Sequence, residues 1–206
     1  MMIFLVITAC SRPQEQGSTI AFIAGMVTLN GARAGIGDSV QNGSRILTGK
    51  NSGCDIMFNE KSIIRVRENA DIVLYQARDY GSLDINSGTV LSFMKKTSTE
   101  EKSVFTIKTP TMVLSIHGTA FCIRVETADS TYLCDCNGTI EVHDSYMNEK
   151  RVLKAARHKA IRIKRGATRL WVTDAALENH TDNEMESLAL KTGEILDWKR
   201  PDAAQP

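Results

Sequence analysis

Cys134 and Cys136 are separated by a single residue within Thr131–Cys136, a run that reads as a β-strand. Alternate residues of a strand project from one face, so both sulfurs can approach the same ion. Two histidines come later in the chain, His158 in Arg157-His158-Lys159 and His180 in Asn179-His180-Thr181-Asp182-Asn183-Glu184. Two thiolates and two imidazoles suit tetrahedral zinc or another thiophilic ion such as iron, and the same residue types serve as haem ligands. Two other readings of these cysteines stand beside that one. An oxidising compartment favours disulfides, and the cysteines other than Cys10 allow several complete pairings that the sequence does not rank. They can equally be inert thiols. A bond between Cys134 and Cys136 is awkward, because positions two apart on a strand lie near the upper limit of disulfide reach. Cys54 and Cys122 sit in apolar strand-like runs and read as small buried hydrophobes.

Cys10 suggests different chemistry. Met1 to Ala9 is apolar, and Ile7-Thr8-Ala9-Cys10 resembles the end of a bacterial lipoprotein signal. In such a signal the cysteine sulfur takes a diacylglycerol and cleavage leaves the cysteine first in the chain. The apolar run is short and lacks a basic start, and an ordinary buried strand is the competing reading. Lipidation at Cys10 implies a membrane-anchored protein on the periplasmic or cell-surface side. A catalytic set is missing from the pattern: there is no G-x-S-x-G, H-E-x-x-H or phosphate-binding glycine loop. Ser115 and His117 share a strand face, but two neighbours do not make a hydrolase, and His117 and His143 read as ordinary turn or surface histidines. The expectation is a non-catalytic protein. The 25 basic and 24 acidic residues leave a net charge of +1, which gives no drive towards nucleic acid. The basic stretch from Lys150 to Arg169 reads as solvent faces of strands, with anionic lipid as its alternative partner.

The elements that must position these residues are short. Alternation is clear in Gly25–Leu29, Cys54–Phe58, Ser62–Val66 and Ala160–Lys164, which puts one face of each in a core. Turn signals fall at Asn30-Gly31, Asn42-Gly43, Ser52-Gly53, Ser87-Gly88 and Asn137-Gly138. Many short strands at that spacing predict an all-β fold, a β-sandwich or β-roll. The 42% apolar content supports a core of ordinary size. Residues 1–18 read as signal and polar tether, 19–165 as the β domain, and 166–206 as a C-terminal extension. Within that extension Trp171 to Leu177 reads as irregular, and Thr181-Asp182-Asn183-Glu184 fits a capping box. Met185, Leu188 and Ala189 then give one apolar face, so a short helix over about 182–192 is predicted to pack on the β domain, with Gly193 as its stop.

Several segments, in order, resemble the FecR domain family. Gly25-Met26-Val27 through Gly37-Asp38-Ser39-Val40 is similar to its opening, and Gly43-Ser44-Arg45-Ile46-Leu47-Thr48-Gly49 to its next strand and turn. Ser52 to Val66 resembles the hairpin after that, with Cys54 in place of a small residue. Ile107-Lys108-Thr109-Pro110-Thr111, with Ile116-His117-Gly118-Thr119-Ala120-Phe121, resembles the most specific signature, and Asn137 to Val142 the closing strand. His117 stands where the family usually has arginine. The resemblance spans about residues 19–164 and implies an exported β domain that binds a partner protein or ligand in envelope sensing. The family's signal transducers carry a cytoplasmic sigma-factor-controlling segment and a membrane span, and this chain matches neither. A subset of FecR-like proteins shows C-x-C-x-G, a histidine stretch and then N-H-T-D-x-E, which Cys134, Cys136, His158 and His180 match with one histidine in the middle stretch rather than two.

Overall fold

The computed structural model describes residues 17–58, 61–77, 80–95, 105–144 and 149–199. Cys10 with its signal, the loop around Glu100 and Glu101, and the tail 201–206 lie outside the described residues. In chain order the described residues form strands β1 (Ser18–Ala24), β2 (Val27–Leu29), β3 (Ala32–Arg33), β4 (Ser39–Val40), β5 (Ser44–Thr48), β6 (Gly53–Phe58), β7 (Ser62–Val66), β8 (Asp71–Ala77) and β9 (Tyr80–Phe93). They continue with β10 (Phe105–Lys108), β11 (Val113–Ile116), β12 (Ala120–Thr127), β13 (Ser130–Asp144), β14 (Glu149–Ala155), β15 (Lys159–Arg165), β16 (Leu170–Asp174) and one helix, α1 (Asp182–Leu190). The fold is all-β. No described helix is long and apolar enough to cross a membrane.

Pairing sorts the strands into two layers. Sheet I runs β4-β1-β6-β7-β9-β12-β13-β15-β16, and sheet II runs β3-β2-β5-β8-β9-β10-β11-β13-β14. The pairs are antiparallel except β9 with β10, which is parallel. Two long strands, β9 and β13, belong to both layers. Each crosses from one sheet to the other at a glycine: Gly88 at φ 91° and Gly138 at φ 141°. A Cβ on Gly138 would sit 2.4 Å from the Thr119 Cβ, and one on Gly88 would sit 2.4 Å from the Ala70 Cβ. Ser87-Gly88 and Asn137-Gly138 are therefore bends inside continuous strands, not the turns that the dipeptides predict. Asn30-Gly31 and Asn42-Gly43 are turns as expected. A further difference lies at Trp171: Leu170–Asp174 is not irregular but pairs with β15 as an edge strand.

Period-two alternation then fills two cores. Ile56, Ile64, Val66, Val90, Phe121, Ile123 and Leu133 of sheet I meet Ile72, Leu83, Ile107, Leu114 and Ile140 of sheet II in the space between the layers. The residues between them on sheet I point the other way. Ile63, Leu91, Phe93, Ala120, Cys122 and Tyr132 form a second apolar cluster on the outer face, closed by Met185, Leu188 and Ala189 of α1 and by Leu196. The helix begins at the predicted capping box, with Thr181 accepting from the Glu184 N–H and Glu184 reaching back to the Thr181 N–H. Nine residues are too few for a stable isolated helix. Each buried Met or Leu contributes about 1.5–3 kcal/mol against the sheet, and side-chain pairs along the rim add to that. Lys191 at the helix end reaches the buried Asp55, which Arg65 grips with two hydrogen bonds. Gly193, at φ 79°, lies two residues beyond the Lys191 cap.

Candidate metal centre

Cys134 and Cys136 point outward from β13, beneath the segment that leads into α1, and both are fully buried. The register of β13 against β12 slips here: Phe121 faces Asp135 and Ala120 faces Asn137, leaving Cys136 as the extra residue of a bulge. Bulges commonly re-aim a side chain beside a site. Asp135, between the two cysteines, faces the opposite way and accepts from the Thr119 hydroxyl at 2.9 Å. Burial pushes its carboxyl up to about 7.

His158 arrives from the β14–β15 connection and His180 from the residue before the helix cap. The His158 backbone N–H donates to the Cys136 carbonyl at 3.0 Å, and its φ of 39° is left-handed, a conformation that costs a non-glycine residue about 1–3 kcal/mol. Asn179, also left-handed, is held through its carbonyl by Arg67 and through its side chain by Arg124. Tyr132 steadies the approach, its hydroxyl accepting from the Glu178 N–H at 3.0 Å.

The outcome is convergence. One donor atom from each of Cys134, Cys136, His158 and His180 lies within 4.8 Å of every other. The sulfurs are 3.8 Å apart, Cys134 Sγ is 3.7 Å from His158 Nδ1, Cys136 Sγ is 3.1 Å from His180 Nε2, and those two nitrogens are 3.2 Å apart. A tetrahedral zinc ion with ordinary bond lengths requires about 3.8 Å between sulfurs, about 3.5 Å from sulfur to nitrogen and about 3.3 Å between nitrogens. On these four separations the residues fit the ion to within about half an ångström.

The outer nitrogens decide the tautomers. His180 Nδ1 lies 2.9 Å from the Glu178 carbonyl, which can only accept, so Nδ1 carries the proton and Nε2 turns its lone pair inward. His158 Nε2 lies 2.5 Å from Asp182 Oδ1, so its Nδ1 likewise faces the cluster. Such partners fix ring orientation and raise basicity in metal sites. Four lone pairs pointing at one another need positive charge between them, either protons or a metal ion. The thiols reflect this. Hydrogen bonding from Cys136 and the two imidazoles, working against burial, brings Cys134 down to about 4, while burial and the Cys134 charge hold Cys136 well above the ordinary thiol range. Burial opposes protonation of His158, but Cys134 and Asp182 outweigh it and raise its pKa. The pair therefore gives up its first proton readily and its second reluctantly, until a cation replaces both.

Several contributors escaped the sequence reading. Asp182 supplies both a helix-start charge and the His158 partner, and Arg157 pairs with it from outside. Trp198 packs against the His158 ring in a tilted arrangement, 5.0 Å between centroids, and donates to Glu186. The capping box already singles out Asp182, but nothing local ties it to His158, and Trp198 gives no periodic signal at all. Elsewhere, Cys54 lies in the inner core, where burial and the Asp55 charge raise its thiol to about 12, and Cys122 lies under α1 with its pKa raised by burial. All four described cysteines are free thiols. Ser115 Oγ is 2.8 Å from His143 Nε2 rather than from His117, and Glu141 approaches that same nitrogen at 3.9 Å. A hydrolytic relay needs the carboxylate on the other ring nitrogen, so this cluster on sheet II is not one.

The fold and site thus define an all-β sandwich whose C-terminal helix is clasped beside a closed Cys₂His₂ cluster. The family model described as FecR protein matches residues 44–141, and those residues form a FecR domain. The match includes Cys134 and Cys136 and ends before His158 and His180, so the cluster joins the domain to the C-terminal extension. Two solved structures of a candidate anti-sigma factor from Parabacteroides distasonis are similar, at 9% and 11% identity with TM-scores of 0.49 and 0.47. Each alignment covers 63% of this chain and 59% of the other. No curated protein matches the chain.

Proposed function

We propose that this protein is a non-catalytic FecR-domain protein of the cell envelope that binds one zinc ion through Cys134, Cys136, His158 and His180. The ion fastens the C-terminal helix to the sandwich, and the sandwich serves as a binding module for an envelope partner in sensing. Lipid on Cys10 anchors it to the membrane. The observation that carries the metal reading is the convergence of four donor atoms, with both imidazole tautomers set from outside to face inward. Four protein ligands leave no open position, which is the pattern of structural rather than catalytic zinc. Burial of Cys134, Cys136 and His180, with His158 half-buried, favours a bare ion over haem, which needs a slot for its macrocycle.

Elemental analysis of untagged protein tests this directly. One equivalent of zinc, lost in Cys134→Ser, is the expected result; metal-free protein that also fails to take up added zinc when reduced would end the metal reading. Iron in place of zinc would show in the same measurement. Anchoring is tested by fractionation, where Cys10→Ala should move the protein from the membrane to the soluble envelope fraction. An unchanged distribution overturns the lipid anchor and leaves the metal site standing.

A further inference from the structure

Cys122 is a third buried thiol on the outer face of sheet I, outside the four-ligand cluster. It stands in register opposite Cys134 on the neighbouring antiparallel strand, within an uninterrupted run of pairs from Phe121–Asp135 to Val125–Thr131. Opposed residues in such a pair have Cα atoms about 4.5–5.5 Å apart, inside the disulfide range of about 4.4–6.8 Å. Cys134 and Cys136 lie along one strand, where two residues of regular pleat advance about 6.6–6.8 Å, at the edge of that range, although the bulge at Cys136 leaves their sulfurs 3.8 Å apart. Cys134 is therefore placed to serve two partners, a metal ion on one side and the Cys122 sulfur on the other. It cannot serve both at once.

Resting on the proposed zinc site, we infer that Cys122 is a resolving thiol that makes the site redox-sensitive: once the ion leaves, Cys134 and Cys122 form a disulfide that blocks metal rebinding. The bound ion protects in two ways. It occupies the Cys134 sulfur, and through His180 it holds down the segment whose Met185, Leu188 and Leu196 share the apolar cluster with Cys122. Loss of the ion lowers the cost of local opening there. A small disulfide such as oxidised glutathione then supplies the oxidant. The Cys134 thiolate attacks it, the reagent S–S bond breaks, one reagent thiol departs, and a mixed disulfide forms. The Cys122 thiolate attacks the Cys134 sulfur and expels the second reagent thiol. Two electrons pass from the two cysteines to the reagent, which leaves as two thiols carrying both protons.

Trypsin cleaves after Arg124, which separates Cys122 from the peptide holding Cys134 and Cys136. Zinc-loaded and chelator-stripped protein are each exposed to oxidised glutathione, quenched in acid, alkylated, digested without reductant and mapped by mass spectrometry. In the stripped sample the two peptides should be joined through Cys122 and Cys134, and the loaded sample should show both unjoined. Oxidised protein should lose zinc rebinding, from one ion per chain to none, and a reductant should restore it. Cys122→Ala should keep its zinc before treatment and, once stripped and oxidised, should carry glutathione on Cys134 as an unresolved mixed disulfide in place of the joined peptides. A bond within the Cys134–Cys136 peptide, a freely alkylated Cys122, or equal joining with and without zinc overturns the proposal. Zinc uptake by the reduced protein is measured separately. Its failure would remove the metal reading, while the mapped linkage would still decide which thiols pair.

Discussion

Asp182 carries two roles at one position. As the first residue of α1 it places a carboxylate at the positive end of the helix dipole, and its Oδ1 holds the His158 proton at 2.5 Å. Arg157 leans on the same carboxylate from solvent. Removing it frees the His158 ring to rotate and lets the proton move to the nitrogen that should face the metal. Asp182→Ala should therefore weaken zinc binding by about 10–100-fold, the range for loss of such a supporting carboxylate, as read by competition with a coloured chelator. Because Asp182 is not a ligand, stoichiometry at saturating zinc should stay at one per chain. The contrast between cysteines makes the same point about environment. Cys54, among aliphatic side chains, has its pKa pushed up to about 12, whereas Cys134, hydrogen-bonded by Cys136 and by two imidazoles, falls to about 4. Residue type alone does not distinguish them.

The strands and the helix show what the sequence displays and what it conceals. Cys134 and Cys136 are legible as a same-face pair because strand alternation is local. Thr181 to Glu184, with Met185, Leu188 and Ala189, likewise announces a capped helix with one apolar side. That His158 and His180 converge on those sulfurs depends on sheet order and on the slip at Cys136, which no short window contains. Gly88 and Gly138 mislead for an instructive reason. A Ser-Gly or Asn-Gly pair reports only that the backbone needs a positive φ, and a bend between two sheets needs it as much as a hairpin does. Leu170–Asp174 escapes a sequence reading because, as an edge strand, it carries three apolar residues in a row with Trp171 exposed between half-buried Leu170 and Val172, and so lacks a clean alternation. The bend at Gly138 has a measurable consequence. A methyl there meets Thr119 at 2.4 Å and forces φ 141° on an L-residue, so Gly138→Ala should destabilise the fold by about 2–4 kcal/mol, combining overpacking with backbone strain. Urea unfolding measures it, and an unchanged midpoint would mean that β13 does not turn there.

For the whole molecule, the question is what fastens α1 and its flanks over sheet I. At one end Asp55 is buried between Arg65 and Lys191. Burial would raise its pKa, but the hydrogen bonds from Arg65 and Lys191 outweigh that and hold it below the ordinary 3.8. A carboxylate depressed in the folded state contributes stability that is complete above the unfolded value and lost as pH falls through the folded one. Wild type and Asp55→Asn should thus differ most at neutral pH, with the variant less stable, and the gap in urea midpoints should close below pH 3.8. At the other end the Cys₂His₂ cluster brings His180 against Cys136 of β13 and His158 of the β14–β15 connection, and the proposed ion would tie them together. An ion that binds the folded chain alone adds stability by mass action, about 2.7 kcal/mol at a free concentration one hundred times Kd. For a chain of this length that corresponds to a melting shift of about 5–10 °C. Chelation should lower the melting temperature by that amount and speed amide exchange across 175–198, since α1 is too short to persist without its docking site. Exchange in β6, β7 and β12 should remain slow, because the inner core of Ile56, Ile64 and Ile123 has no contact with the ion. If chelation instead loosened the sandwich as a whole, the ion would be part of the folding nucleus rather than a clasp on a finished sheet.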